Sequence, residues 1–300
     1  MKIILTFILA LTLSALTADS KVGVRQLELI KALPVNGPEN NQPSGLTIFR
    51  GNLYAVSDKH DKTIYRIELG DTTAAFVPHL RFKATYPDSV DRLDFEGLTV
   101  DDDGNFFIAS ETTFRILRVS ADGKDVRWIT ENLKRYGEEV GLFTRRGGYL
   151  EGIARRPEGD FVLAAERQAR GIIEVGQGDS TLEVIAFNLD ATSLPLKAPR
   201  ASSFTGLFWE GDRLFALDRS TEALFKLGYG DRGGREMDPW SYGEIINRDE
   251  LKYANMKWGM GEGLCLDKDH VYIIVDNNGS ARAGNSKDKR PLLLIMKRPQ

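Results

Sequence analysis

Hydrophobic and polar residues alternate along most of this chain in short runs, and these runs return in the same order five times. Each copy starts with a small or acidic residue and Gly-Leu or Gly-Ile, continues through a turn, and ends as an apolar run closed by Asp or Glu. The glycines that mark the copies are 52, 55, 54 and 57 residues apart: Gly45, Gly97, Gly152, Gly206 and Gly263. Alternation with a period of two predicts strands. A repeat of this length, made of short strands, predicts an all-β fold of the β-propeller type.

The fifth repeat predicts how the ring of blades closes. After Gly263 the chain has apolar runs for three strands, at Leu264–Asp267, Val271–Val275 and Leu292–Lys297. A three-stranded last blade would leave an unpaired edge. We therefore predict that Val24–Leu33, which precedes the first repeat, is the missing outer strand, and that the propeller has five blades. A sixth, degenerate blade is the alternative, because the connections over residues 120–149 and 228–261 are long.

The N-terminus differs from the rest of the chain. A Lys at position 2 precedes an almost wholly apolar or hydroxylated run, and small residues lead into the polar residues 19–21. This pattern predicts a signal peptide over residues 1–18, a single domain over 19–300, and a periplasmic or secreted protein that has no membrane contact after cleavage. A membrane anchor is the alternative, although the apolar run is short for a span.

Composition narrows the functional classes. The formal net charge is −3, which gives no support for nucleic-acid binding. One cysteine, Cys265, excludes an internal disulfide, and its apolar neighbours predict a buried thiol. Three histidines and no Gly-x-Ser-x-Gly segment argue against a serine hydrolase.

Acidic residues recur at two fixed places in the repeats. In a propeller the innermost strand of a blade starts, and the second strand ends, on the same face of the ring, so both sets converge at the channel mouth. Three cationic residues follow members of these sets in sequence and are predicted to interleave with them: Lys59, Arg167 and Arg219. The strand starts supply Glu96, Glu151 and Glu262, and the strand ends supply Asp58, Glu111, Glu166, Asp218 and Asp276.

So many carboxylates in one place need compensation. Two of them about 7 Å apart repel by roughly 2 kcal/mol at an effective dielectric constant near 20. Cations, basic side chains or bound protons must relieve that repulsion. Aspartate and glutamate oxygens are ligands that Ca²⁺ prefers, so the eight acidic residues predict a calcium site. Alternatively, each carboxylate caps backbone N–H groups and ties one blade to the next.

Two segments carry a resemblance to known families. They are Asp94-Phe95-Glu96-Gly97-Leu98, with Ser110-Glu111, and Leu150-Glu151-Gly152-Ile153, with Glu166-Arg167. The chain resembles the exported propellers described as phytase-like with esterase-like activity, and it is similar to a bacterial propeller family regulated by a quorum-sensing receptor. The resemblance implies a propeller, export, calcium, and hydrolysis of esters or phosphoesters. The Asp-Asp-Pro-Ala signature of propeller phytases is absent, which weighs against phytate as substrate.

The leading hypothesis is a Ca²⁺-dependent hydrolase of a small anionic ester, with Arg167 and Arg219 holding its phosphate or carboxylate. A non-catalytic propeller that binds a ligand or a protein partner at the same face is the second hypothesis. A metal-dependent lactonase is the third, in which Glu262 and Asp276 act together with Asn277. Lys59 and Asn277 complete the predicted substrate-binding residues.

Overall fold

The computed structural model describes residues 23–87, 90–177, 182–197, 201–230, 233–256 and 260–299. Within these ranges nearly all the regular secondary structure is β-strand, and none of the helices could span a membrane. The predicted all-β class is confirmed. The predicted signal peptide over residues 1–18 lies outside the described residues.

The strands form five groups in chain order. Group 1 is β3 (Pro43–Phe49), β4 (Asn52–Ser57), β5 (Thr63–Leu69) and β6 (Ala74–Arg81), and group 2 is β7 (Phe95–Val100), β8 (Phe106–Ser110), β9 (Arg115–Val119) and β10 (Val126–Trp128). Group 3 is β11 (Leu150–Arg155), β12 (Phe161–Ala165), β13 (Gly171–Gln177) and β14 (Leu182–Asn188). Group 4 is β15 (Phe204–Glu210), β16 (Arg213–Asp218), β17 (Ala223–Gly230) and β18 (Gly233–Ser241), with β1 (Arg25–Gln26) beside β18. Group 5 is β19 (Gly261–Leu266), β20 (His270–Val275), β21 (Leu292–Lys297) and β2 (Leu29–Asn36).

The N-terminal segment closes group 5, as the sequence predicts. Strand β2 pairs antiparallel with β21, with Leu29 opposite Met296 and Pro34 opposite Leu292. The prediction of one continuous strand over Val24–Leu33 is wrong at its start, because Arg25 and Gln26 pair in parallel with β18 of group 4 instead. The end of β2 also pairs in parallel with β6, which joins groups 5 and 1 into one eight-stranded sheet.

The core lies between neighbouring groups rather than inside any one of them. Five apolar clusters fill the spaces between groups 1 and 2, 2 and 3, 3 and 4, 4 and 5, and 5 and 1. Cys265 is fully buried in the last of these spaces, as predicted. Because each sheet covers its neighbours on both faces, the ring has a continuous hydrophobic core.

The innermost strands meet around the axis at the repeat glycines. A Cβ atom placed on each glycine would lie less than 3.0 Å from an atom of the next innermost strand, and the last contact returns to Leu46 on β3. Only glycine permits this approach, which explains its recurrence at Gly45, Gly97, Gly152, Gly206 and Gly263.

In the described part of the chain, two short helices lie between groups: α1 (Lys134–Glu139) and α2 (Gly243–Ile246). The sequence predicts a helix over Asn247–Lys257, from an N-cap candidate with Glu250 three residues later. The described part of that segment, up to residue 256, forms turns instead, and the helical turn ends just before it. The prediction is wrong because Asn247 ends a helix, donating from its side chain to the Gly243 carbonyl at 2.8 Å.

Candidate metal and ester site at the mouth of the ring

A β-bulge near the start of each innermost strand positions the side chains that face the axis. Pairing between the first two strands of every group slips just before or at the repeat glycine, and the residue before that glycine is left without a partner. An unpaired bulge residue turns its side chain away from the regular pleat. The residues placed in this way are Ser44, Glu96, Glu151, Thr205 and Glu262.

These bulges border a cavity of about 340 Å³ at one end of the ring. The bulge residues Ser44, Glu96, Glu151 and Glu262 lie on its wall. The other lining residues come from the ends of second strands and from the adjoining loops: Gln42, Pro43, Asp58, Arg167, Gln168, Ala201, Ser203, Arg219, Ser220, Asp276 and Asn278. We call this cavity the mouth. Most of its wall is polar, as a site for an ionic ligand requires.

A first carboxylate cluster is formed by Asp58, Asp94 and Glu96, which each place one oxygen atom within 4.8 Å of the others. Lys59 pairs with Asp58, and Arg92 lies 2.7 Å from Asp94. The Oδ1 atom of Asp58 is buried and has no hydrogen-bond partner among the described residues. A buried oxygen without a partner is costly, so this cluster is chemically incomplete.

A second cluster is formed by Glu111, Glu151 and Glu166, again with one oxygen each within 4.8 Å. Glu166 is already compensated, because it pairs with both Arg167 and Arg219. Arg219 also donates from Nη1 to Glu262 Oε1 at 2.5 Å, so one guanidinium links groups 3 and 5 across the mouth.

Carboxyl groups exceed cations among the described residues of the mouth. Eight carboxyl groups of this part of the chain lie in its wall or in the two clusters: Asp58, Asp94, Glu96, Glu111, Glu151, Glu166, Glu262 and Asp276. Four cationic side chains pair with them: Lys59, Arg92, Arg167 and Arg219. The Oε2 atom of Glu262, like Asp58 Oδ1, is buried without a partner among the described residues.

Burial and mutual repulsion shift the acidity of these groups. Burial is the main cause that raises the pKa of Glu96 and Glu151 well above the usual range, and nearby carboxylates add to it. The pKa of Glu111 rises to about 7 through burial and the charge of Asp94, and that of Asp276 rises to about 7 through burial and the charge of Glu262. Without a further cation, several of these groups therefore hold protons near neutral pH.

Five predicted site residues do not line the mouth. Glu111 and Glu166 belong to the second cluster and Lys59 pairs with Asp58, whereas Asp218 and Asn277 lie apart from both clusters. Asp218 is fully buried: Oδ2 accepts from Arg170 Nη1 at 2.6 Å and from the Ser203 N–H at 2.9 Å, and Oδ1 accepts from two further backbone N–H groups. Asn277 donates from Nδ2 to the carbonyls of Ser280 and Lys289, at 2.6 and 2.7 Å. Both hold loops together, and Asn278 reaches the mouth in place of Asn277.

The sequence analysis did not identify three residues that belong to this charged network: Asp94, Arg92 and Arg170. Asp94 precedes the bulge by two residues, has φ of 51°, and joins the first cluster together with its partner Arg92. Asp94 stands in the quoted motif, so its sequence signal was present. Arg170 gives no pattern signal, because its partners Asp218 and Glu236 come from group 4, 48 and 66 residues further along the chain.

The donor set fits a hard divalent cation. Among the described residues that line the mouth, the two buried side-chain atoms without a partner are carboxylate oxygens, of Asp58 and Glu262, and hard oxygen ligands suit Ca²⁺. A bound cation would stabilise the ionised carboxylates and so reverse the pKa shifts that burial causes. The residues present therefore fit the metal that the sequence predicts.

A serine–histidine pair is not formed among the described residues. Ser44 donates to the Phe95 carbonyl and Ser203 lies 3.4 Å from Glu166 Oε1. His79 packs against Tyr54, and His270 bonds to Asp267. His60 packs edge-on against Tyr65, and its buried Nε2 atom has no partner among the described residues. The described residues therefore give no support for a serine nucleophile at the mouth.

Residues 42–279 match the family described as phytase-like, esterase-like activity of phytase. No curated protein matches the chain significantly. Among solved structures, the glutaminyl cyclase of Myxococcus xanthus is similar with a TM-score of 0.55 at 11% identity, over 92% of this chain and 98% of that one. The PQQ-bound aldose sugar dehydrogenase of Streptomyces coelicolor has a TM-score of 0.50 at 11% identity, over 91% and 98% of the two chains. At such identities the likeness shows a shared propeller fold alone.

Proposed function

Because this chain belongs to the phytase-like family, we propose that it is a Ca²⁺-dependent hydrolase of a small anionic ester, acting at the mouth of a five-bladed ring. The observation that carries the proposal is the excess of carboxyl groups over cations at the mouth, together with the unpartnered oxygens of Asp58 and Glu262. Hydrolysis of esters agrees with the family description, and the cavity of about 340 Å³ has room for a small substrate.

The first cluster is the better metal site. Asp58, Asp94 and Glu96 offer converging oxygens, and Glu151 adds a carboxylate nearby whose charge already raises the pKa of Glu96. Glu166 is less available, because two arginines hold it. When bound, Ca²⁺ would polarise an ester oxygen and lower the pKa of a coordinated water.

The chain's own residues would bind and orient the substrate. The Arg167 side chain keeps 34% of its surface exposed beside the mouth, so it can turn from Glu166 toward a phosphate or carboxylate. Arg219 is 12% exposed and held by Glu166 and Glu262, so it acts as a fixed positive charge behind the substrate. Asp276 also lines the mouth, where in the absence of a cation burial and the charge of Glu262 raise its pKa to about 7.

Location outside the cytoplasm is part of the proposal. It rests on the N-terminal pattern of residues 1–18 and on the resemblance to an exported family. Calcium is abundant outside cells, where modules with affinities of about 10⁻⁴ to 10⁻³ M are loaded.

One observation favours the non-catalytic alternative, in which the mouth binds a ligand or a protein partner: no serine–histidine pair forms among the described residues. The lactonase alternative is weakened because the Nδ2 donors of Asn277 are committed to the Ser280 and Lys289 carbonyls. Measuring turnover of esters and of lactones distinguishes both alternatives from the proposed ester hydrolase.

The test is a panel of phosphomonoesters, carboxylesters and simple lactones, assayed with calcium and with chelator. We expect calcium-dependent turnover of at least one anionic ester, and loss of about 10²-fold or more in Asp58→Asn, because that change removes a metal ligand. Asp102→Asn, in an exposed turn, is the matched control and should retain activity. Absence of turnover on every ester in both conditions would support a binding protein, and hydrolysis restricted to lactones would support the lactonase.

A further inference from the structure

The guanidinium of Arg219 lies among carboxylates that come from groups 2, 3 and 5. It pairs directly with Glu166 of group 3 and with Glu262 of group 5. Burial acts to lower the pKa of Arg219, but the charges of Glu262, Glu151 and Glu96 outweigh burial and raise it. A single positive charge is therefore already present where these carboxylates converge.

The second cluster has the geometry of a cation site with this arginine beside it. Its members Glu111, Glu151 and Glu166 each place one oxygen within 4.8 Å of the others. Arg219 connects Glu262 to this cluster, because Nη1 donates to Glu262 Oε1 at 2.5 Å and Nη2 donates to Glu166. The Oε2 atom of Glu262, a residue in the wall of the mouth, is buried without a partner among the described residues. These oxygens would suit a divalent cation if the guanidinium were removed.

Burial makes Arg219 hard to displace. Its side chain is 12% exposed, whereas the cations of the first cluster, Lys59 and Arg92, are 38% and 58% exposed. An exposed cation can turn into water and leave its carboxylate to calcium, but Arg219 would stay buried without a partner, which is strongly unfavourable. A cation tethered to the chain also has an effective concentration on the order of millimolar. Calcium at a weak site should therefore replace Lys59 and Arg92 but not Arg219.

We propose that Arg219 takes the place of a second cation, so that the mouth binds one calcium ion at the first cluster and keeps a resident guanidinium beside the second. This inference rests on the proposed function for its metal. In sites with two metal ions, the second ion stabilises an oxygen of the reacting ester. The fixed charge of Arg219 would do this without a second metal. Replacing Arg219 should therefore open a second calcium site.

Equilibrium dialysis with radioactive calcium tests this by counting the ions bound per chain. At about 10 mM free calcium, well above the dissociation constant of a weak site, Arg219→Met should bind one ion more than the wild type. Arg135→Met, at an exposed side chain of α1, is the matched control and should bind as many ions as the wild type. Calcium bound elsewhere on the chain contributes equally to all three proteins. An Arg219→Met variant that binds no more calcium than the wild type would overturn the proposal.

Two further readouts keep the proposal testable. Calcium should raise the melting temperature of Arg219→Met by more than that of the wild type, because one more ion binds the folded state. Glu166→Gln should leave the number of bound ions unchanged, because arginines rather than calcium hold Glu166. Loss of an ion in Glu166→Gln would overturn the proposal even if Arg219→Met does not fold. One ion in both the wild type and Arg219→Met would contradict the role of Arg219 alone, whereas no ion in either would contradict the proposed metal site itself.

Discussion

Replacing Arg170 should destabilise the fold more than replacing an exposed charged residue does, because the Arg170 side chain joins groups 3 and 4. Arg170 is 1% exposed and donates to Asp218 at 2.6 Å, to Glu236 at 2.5 Å, and to two backbone carbonyls. Its guanidinium carbon also lies 4.3 Å from the ring centre of Phe204. Arg170→Met keeps much of the volume but leaves two buried carboxylates without their cation.

The structure sets the size of this loss. Removing one partner of a buried ion pair costs about 3–5 kcal/mol. Asp218 retains three backbone donors, and Glu236 retains Ser193 and Thr192, so the low end applies. At about 2–4 °C per kcal/mol, a loss of about 3 kcal/mol lowers the melting temperature by roughly 6–12 °C.

Thermal unfolding followed by circular dichroism measures the effect. Arg135→Met is the control: Arg135 lies on α1, its pair with Glu131 is exposed, and its loss should leave the melting temperature close to that of the wild type. Burial already raises the pKa of Asp218. In Arg170→Met that pKa should rise further, so the variant should regain stability as the pH falls and Asp218 takes up a proton. A melting temperature no lower than that of Arg135→Met would refute the role assigned to Arg170.

Three further predictions concern the mouth and the closure of the ring. In chelator, Glu151→Gln should melt at the same temperature as the wild type or higher, since burial already disfavours the ionised form of Glu151 and a neutral amide replaces it. The variant should lose most of the stabilisation by calcium, which at 100 times the dissociation constant is about 2.7 kcal/mol. Thermal denaturation measures this, with Glu138→Gln at an exposed position as the control. An equal drop in melting temperature with and without calcium would show that Glu151 has only a structural role. In chelator, the contribution of Glu111 and Asp276 to stability should be complete below about pH 4 and be lost as the pH rises to about 7, because folding raises both pKa values. Calcium should weaken this pH dependence of the free energy of unfolding, measured by urea titration. The same pH dependence with and without calcium would contradict the prediction. Deleting residues 24–33 removes β1 and most of β2, so the edge of β21 is exposed and the protein should aggregate. Light scattering measures the aggregation and calorimetry the melting temperature; a soluble variant with an unchanged melting temperature would rule out β2 as the closing strand.

The sequence repeat predicts the architecture because the same close contact between innermost strands recurs in every group and requires glycine each time. Gly45 and its counterparts must be glycine where innermost strands touch, and the neighbouring bulge residues, such as Glu96, must face the axis. Both constraints act within one repeat, so they appear in the sequence at a fixed spacing. The position of the acidic mouth could therefore be predicted before the structure was known.

The partners of these residues could not be predicted in the same way. Asp218 and Asp58 occupy equivalent positions, yet Arg170 from the preceding group takes Asp218 into the core while Asp58 stays at the mouth. Arg219 follows Asp218 in sequence but pairs with Glu166 and Glu262 instead. A long arginine side chain can reach carboxylates of several strand groups, and the local sequence pattern does not indicate which of them it pairs with.

Direct titration of calcium into chelator-treated protein by calorimetry tests the central claim, that the mouth is an incomplete cation site. We expect binding with a dissociation constant of about 1 mM or tighter. The double variant Asp58→Asn, Glu96→Gln should abolish it, while Asp102→Asn should leave it intact. Absence of calcium binding to the wild-type protein, or equal binding to the double variant, would contradict the account.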